Sequence, residues 1–85
     1  MENVRPTGRQ IAAGRTLLGM TQPELAARAN ISAGTLKRME ASEGEAAGMA
    51  NNVAAVVLAL GSAGVEFIAE NGGGPGVRLR KKGAS

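Results

Sequence analysis

The chain has 85 residues, of which 44% are hydrophobic and only one, Phe67, is aromatic. It contains no Cys and no His, which excludes disulfides, Cys/His zinc sites, thiol nucleophiles and the commonest general base. We therefore expect neither an enzyme nor a metal or cofactor site. The formal net charge of +3 is compatible with a polyanionic partner but is weak evidence for one.

The first predicted element is a helix that follows a flexible N-terminus, residues 1–6. Thr7 and Gln10 have the Thr-x-x-Gln spacing of a capping box, in which each side chain accepts a hydrogen bond from the other residue's backbone N–H. Gly19 is placed to end this helix, because glycine adopts the left-handed conformation at low cost.

A second capping box predicts a second helix. Thr21 and Glu24 have the Thr-x-x-Glu spacing, and Pro23 is tolerated in a first helical turn, so this helix is expected to begin at Gln22. Asn30 is expected to end it, since Asn is the commonest residue other than glycine in a left-handed turn.

A third helix is predicted to begin after Ser32, whose hydroxyl is a suitable cap. Its apolar positions, Leu36 and Met39, are spaced to lie on one side of a helix. Lys37 and Arg38 must then point in another direction.

A fourth helix is predicted to begin at a cap on Asn51 or Asn52 and to run to about Ser62. No charged residue occurs from Ala46 to Val65, whereas a surface helix usually carries a charged stripe. This helix is expected to be buried on most sides or covered by a second subunit, and a dimer interface is favoured because so small a domain has little interior. The residues assigned to that interface are Val53, Val57 and Leu60.

After Gly64 the apolar period changes from helical to two, which predicts a β-hairpin. Its strands are expected within 65–68 and 77–80, around a glycine-rich loop that lacks the helix and the Lys-Ser/Thr of a phosphate-binding P-loop. Its apolar side chains Phe67, Val77 and Leu79 are also assigned to dimerisation, and residues 81–85 form a basic tail.

The sequence contains no recognisable signal peptide, and the uncharged stretch is too polar and too broken by glycine to be a membrane span. We therefore expect a cytoplasmic protein with no membrane contact. No segment suggests a binding domain for a small-molecule ligand.

Residues 20–40, MTQPELAARANISAGTLKRME, resemble the helix-turn-helix of phage lambda-type repressors and Cro proteins. The family pattern runs Thr-Gln-x-x-Leu-Ala, a turn with Val or Ile, Ser or Thr opening the recognition helix, then an apolar residue and Glu. The chain departs from it at Asn30, where Gly is common. Residues 64–80 are similar to the end of small stand-alone bacterial regulators of this family, in which a hairpin replaces a fifth helix.

This resemblance implies a mainly α, four-helix, lambda-repressor-like DNA-binding domain at 7–64, with the helix-turn-helix at 21–40 and a C-terminal β-hairpin at 65–80. It implies a transcriptional regulator, a repressor that binds an inverted-repeat operator in double-stranded DNA as a homodimer through recognition helix 32–42. The residues matched to DNA contact are Gln22, Ser32, Ala33, Gly34, Thr35, Lys37 and Arg38.

Arg15 and Glu40 match a structural ion pair of the family, between the first helix and the end of the recognition helix. The basic residues Arg78, Arg80, Lys81 and Lys82 fit contact with the DNA backbone and simple solubility equally well. The rival interpretation is a protein-interaction module, such as an antitoxin or anti-activator, that keeps the fold with weak or no DNA binding. Ala33 and Gly34 favour it, because their side chains cannot hydrogen-bond to bases.

Overall fold

The computed structural model describes residues 5–81 and contains, within them, four α-helices followed by a two-stranded antiparallel sheet. In chain order these are α1 (Gly8–Leu18), α2 (Gln22–Ala29), α3 (Ala33–Glu40), α4 (Ala50–Ser62), β1 (Val65–Ile68) and β2 (Gly76–Leu79). The mainly α fold with a C-terminal hairpin agrees with the sequence prediction, with β2 one residue earlier than expected. The predictions for residues 1–4 and 82–85 lie outside the described residues.

Both predicted capping boxes are present. At α1, Thr7 Oγ1 accepts from the Gln10 backbone N–H at 3.0 Å, and Gln10 Oε1 accepts from the Thr7 N–H at 2.9 Å. At α2, Thr21 and Glu24 make the same exchange at 3.2 and 2.8 Å. These bonds satisfy donors that every helix start otherwise leaves unpaired, and so fix where each helix begins.

Left-handed residues end the first two helices as predicted. Gly19 has φ 73° and Asn30 has φ 59°, and Asn30 is the one non-glycine residue with positive φ in the stretch from 5 to 81. Ser32 Oγ then accepts from the Thr35 N–H at 3.0 Å and begins α3. Three residues, 30–32, therefore connect α2 to α3.

The start of α4 differs from the prediction. The residue before the helix is Met49, which makes no side-chain capping hydrogen bond, and neither Asn51 nor Asn52 is the cap. The first turn of α4 is therefore not fixed by a polar side chain.

The core lies between the four helices and the inner side of the hairpin, where α2 packs on α3 and α4, and α1 packs on β2. Its buried apolar side chains are Ile11, Leu25, Ala26, Ala29, Leu36, Met39, Ala46, Val53, Val56, Leu60 and Val65. The prediction that Val53 and Leu60 contact a second subunit is corrected here: they are 3% and 0% exposed because they face the chain's own core. Val57 is half-buried, and the exposed large side chain of α4 is Leu58.

The segment just before α1 pairs with the loop between α3 and α4. Arg5 Nη1 donates to the carbonyl oxygens of Ala46 and Gly48 at 2.9 and 3.0 Å, and the Ala46 N–H donates to Pro6 O at 2.8 Å. The part of the expected flexible N-terminus that is described, residues 5–6, is therefore fixed to the domain.

The hairpin pairs Val65 with Leu79 and Ile68 with Gly76 at its two ends. Its loop end is tied to α1 by Gln10, whose Nε2 donates to Ile68 O at 3.2 Å and to Gly76 O at 2.9 Å. Because the same side chain completes the capping box of α1, one buried amide joins the helix start to the sheet.

Candidate functional site

Helix α3 has one buried and one exposed side. Leu36 and Met39 are both 0% exposed, and burial of each side chain contributes about 1.5–3 kcal/mol to fixing the helix in place. The opposite side, called the exposed α3 face from here on, consists of Ala33, Gly34, Lys37 and Arg38. The apolar side therefore determines which residues α3 presents to solvent.

A hydrogen-bonded network around Glu40 joins α3 to α1 and α2. Arg15 binds both oxygens of the Glu40 carboxylate, with Nε–Oε2 at 2.8 Å and Nη2–Oε1 at 3.0 Å. Gln22 Nε2 donates to Glu40 Oε1 at 3.0 Å, and Arg15 Nη1 also donates to Met20 O at 2.8 Å. The carboxylate at the end of α3 thereby fixes the start of α2 beside it.

This network is largely withdrawn from water, since the side chains of Arg15 and Glu40 are 20% and 6% exposed. The hydrogen bond that Arg15 donates to Glu40 raises the pKa of Arg15 above its ordinary value, against the opposing effect of burial. A pair in such surroundings is destabilising to break, because the remaining partner is left charged and unsatisfied.

Gln22 was expected to bond directly to DNA, and the structure places it at the start of α2, half-buried, with its amide N–H on Glu40. Its oxygen makes no hydrogen bond within residues 5–81 and remains an acceptor at the helix start. The bond to Glu40 fixes the orientation of the Gln22 amide, and therefore the direction in which its oxygen can accept a hydrogen bond.

The first turn of α3 presents almost no polar side chain. Ser32 Oγ donates to Thr35 Oγ1 at 2.8 Å and accepts from the Thr35 N–H, so the Ser32 hydroxyl is engaged with Thr35 both as donor and as acceptor. Ala33 and Gly34 are exposed between them. The backbone of this turn is therefore accessible from outside.

The cations of α3 differ from those of the hairpin. No ion pair involves Lys37 or Arg38 within residues 5–81, whereas Arg78 bonds to Glu66 at 2.8 Å. Arg80 donates to Gly61 O at 2.7 Å. Among residues 5–81, the two cations predicted as site residues on α3 therefore have no ion-pair partner, whereas Arg78 and Arg80 at the hairpin are each bonded to another residue.

Two structural features give no signal in the sequence: the long-range hydrogen bonds of Gln10 and the exposure of Leu58. Gln10 was interpreted only as part of a capping box, and Leu58 was not singled out from the other apolar residues of α4. Leu58 is 70% exposed and borders a groove of about 360 Å³ between α2 and α4. A contact with a distant backbone leaves no sequence signal, and a helix without charges does not show which side faces water.

No protein-family model matches the chain, and no curated protein matches it significantly. Among residues 5–81, no helix combines the length and the apolar character needed to cross a membrane. Function must therefore be inferred from the residues themselves.

Proposed function

We propose that the chain is a sequence-specific double-stranded DNA-binding protein that regulates transcription, with α2 and α3 as a helix-turn-helix and α3 as the recognition helix. The observation that carries the proposal is the exposed α3 face, with two cations that have no ion-pair partner in residues 5–81, on a helix fixed from behind by buried Leu36 and Met39. A rigid helix with donors on its outer side is what major-groove reading requires.

The small residues of α3 favour a close approach to DNA. An α-helix with its side chains is about 10–12 Å across, which is close to the roughly 12 Å width of the major groove. Ala33 and Gly34 add almost no width to the first turn, and an alanine methyl group matches the methyl group of thymine. Lys37 and Arg38 supply donors for guanine or phosphate.

The start of α2 supplies the complementary backbone contact. A helix N-terminus attracts phosphate through its exposed N–H groups, and Gln22 adds a side chain there. Because Glu40 ties Gln22 to the end of α3, the distance between the phosphate contact and the base-reading helix is set before DNA binds.

A homodimer is part of the proposal, since two copies double the number of bases read. The surface proposed for the contact is the α4 side that carries Leu58, because no charged residue interrupts α4 and the adjoining groove between α2 and α4 has room for the partner's Leu58. The operator is then an inverted repeat with half-site centres about 10 bp apart, and its occupation represses the promoter.

The proposal is tested by selecting bound sequences from a pool of random duplex DNA. The expected result is one enriched inverted repeat with that half-site spacing, and an affinity that falls as salt rises because phosphate contacts release counterions. If no motif is enriched, the proposal of sequence-specific DNA binding is wrong, and a protein-interaction module with the same fold becomes the better hypothesis.

A further inference from the structure

Gly34 has no packing reason to be glycine. It is exposed in α3, and a Cβ built on it would have a single atom within reach, Arg38 Nη1 at 4.0 Å. At Gly8, by contrast, a Cβ would overlap the Met39 carbonyl oxygen and lie 2.9 Å from Ser42 O. Folding therefore requires glycine at position 8 but not at position 34.

The atom near Gly34 is informative because it belongs to the residue four positions later. Side chains on an α-helix lean toward its N-terminus, and residues four apart lie on the same side. The Arg38 side chain follows this geometry: its Nη1 lies 4.0 Å from the position of a Cβ on residue 34, so a longer side chain there would compete with the guanidinium for the same space.

This guanidinium has no competing partner within residues 5–81. In that range the Arg38 side chain donates no hydrogen bond and joins no ion pair, and the Ser32 hydroxyl is engaged with Thr35. A planar group with several N–H donors thus lies at the first turn of α3, and Arg38 is exposed to solvent.

We infer that Gly34 is a specificity-determining residue: it leaves the surface of the first turn open for the Arg38 guanidinium, which from there reads a guanine. The inference rests on the proposed function. It adds which base is recognised, guanine, and how Gly34 allows Arg38 to reach it. The fork of an arginine fits O6 and N7 of guanine, and the N-terminal turns of a recognition helix are the part that meets base edges. The two residues together replace the long side chain that the first turn lacks.

Four proteins test the inference on the selected operator: wild type, Arg38→Ala, Gly34→Ala and Gly34→Leu. Arg38→Ala is expected to lose the preference for one G·C pair in each half-site by roughly 5- to 150-fold, the range for one bidentate base contact, with the other positions unchanged. Gly34→Leu is expected to lose the preference at the same pair, because its side chain displaces the guanidinium. Gly34→Ala is the matched control and keeps it, since a Cβ at 4.0 Å from Nη1 is an ordinary contact.

The double variant Gly34→Leu/Arg38→Ala completes the cycle. If the two residues act through one contact, the double variant discriminates at the G·C pair no worse than Arg38→Ala alone. If Gly34→Leu keeps the guanine preference, the inference is wrong but sequence-specific DNA binding still stands. The same holds if Arg38→Ala loses affinity uniformly for all bases at all positions. Absence of any enriched motif with wild type overturns the proposed function as well. Thermal unfolding of each variant checks that the fold is kept, as expected for substitutions at exposed positions.

Discussion

At the scale of single residues, the surroundings decide what a residue type means. Gly8 and Gly34 both lie in the first turn of a helix, yet a Cβ at Gly8 would meet backbone oxygens at and just after the end of α3, whereas at Gly34 it would meet one guanidinium nitrogen among residues 5–81. The two glycines therefore respond in opposite ways to the same methyl group.

Gly34→Ala is expected to raise the free energy of unfolding by up to about 1 kcal/mol, because alanine is the better helix former and the added methyl group meets no obstacle. Gly8→Ala is expected to lower it, since its Cβ would overlap a backbone oxygen. Thermal unfolding followed by circular dichroism measures both, and a stability order with Gly8→Ala above Gly34→Ala would contradict the structure.

The two Arg–Glu pairs give a second residue-scale comparison. Both have a 2.8 Å contact, but the side chains of Arg15 and Glu40 are 20% and 6% exposed, whereas those of Arg78 and Glu66 are 68% and 36% exposed. Glu40→Ala is expected to cost about 3 kcal/mol, because it leaves a sheltered guanidinium unpaired. Glu66→Ala, the control, is expected to change stability by less than about 1 kcal/mol.

Glu40→Ala also bears on DNA binding. At a temperature where the variant remains folded, operator affinity is expected to fall, because Gln22 loses the bond that orients the start of α2. An unchanged affinity at matched folding would show that the network has only a structural role.

At the scale of elements, the sequence predicts what local spacing controls. The starts of α1, α2 and α3 follow from capping residues within three positions of their partners, and these predictions are confirmed. The predicted start of α4 is wrong because the residue before the helix, Met49, has no polar side-chain group that would mark a cap in the sequence. The buried side of α4 was also misjudged at Val53 and Leu60, since a helix without charges gives no marker for the side in water.

Contacts between distant residues were beyond prediction. The bond from Arg5 to Ala46 in the α3–α4 loop and the bond from Gln10 to Gly76 in the hairpin join residues 41 and 66 positions apart, and no local rule specifies them. For the candidate site, the sequence predicted the residues of the exposed α3 face but not that Arg38 lies over Gly34, which depends on a side-chain conformation.

The two capping boxes differ in whether they respond to acid. The Thr21 N–H and hydroxyl bond to the Glu24 carboxylate and lower the pKa of Glu24 from its ordinary value of 4.5. A lowered folded-state pKa means that this stabilisation is complete above pH 4.5 and is lost as the pH falls through the folded value.

Glu24→Gln keeps an acceptor for the Thr21 N–H but removes the titratable group. The resulting capping box would match that of α1, where Gln10 is the acceptor. Wild type is expected to be more stable than Glu24→Gln at neutral pH, and the difference is expected to shrink in acid. Melting temperatures between pH 7 and about pH 2 measure it. A difference that does not vary with pH would show that the carboxylate charge contributes nothing.

At the scale of the whole molecule, the exposed cations of α3 and the exposed apolar side chain of α4 lie on separate helices. Lys37 and Arg38 project from α3, while α4 carries no charge and exposes Leu58. Such a division suits a protein that binds a polyanion with one surface and its own copy with another.

Leu58→Lys is expected to weaken the proposed homodimer by at least about tenfold, because an uncompensated ammonium would be buried in the interface. Leu17→Lys, at an exposed position of α1, is the matched control and is expected to leave the dimer intact. Sedimentation equilibrium measures both. Equal dissociation constants for the two variants would place the dimer contact elsewhere or rule it out.

Gln10 has a consequence for how the domain opens. A two-stranded hairpin often frays as an independent unit, but here its loop end cannot leave α1 without breaking two hydrogen bonds from the Gln10 amide, whose oxygen also accepts from the Thr7 N–H at the start of α1. The amides of β2 are therefore expected to exchange with solvent deuterium through the same opening event as those of the first turn of α1. A shared exchange rate would mean that the helical body and the C-terminal hairpin open as one foldon, coupled through Gln10.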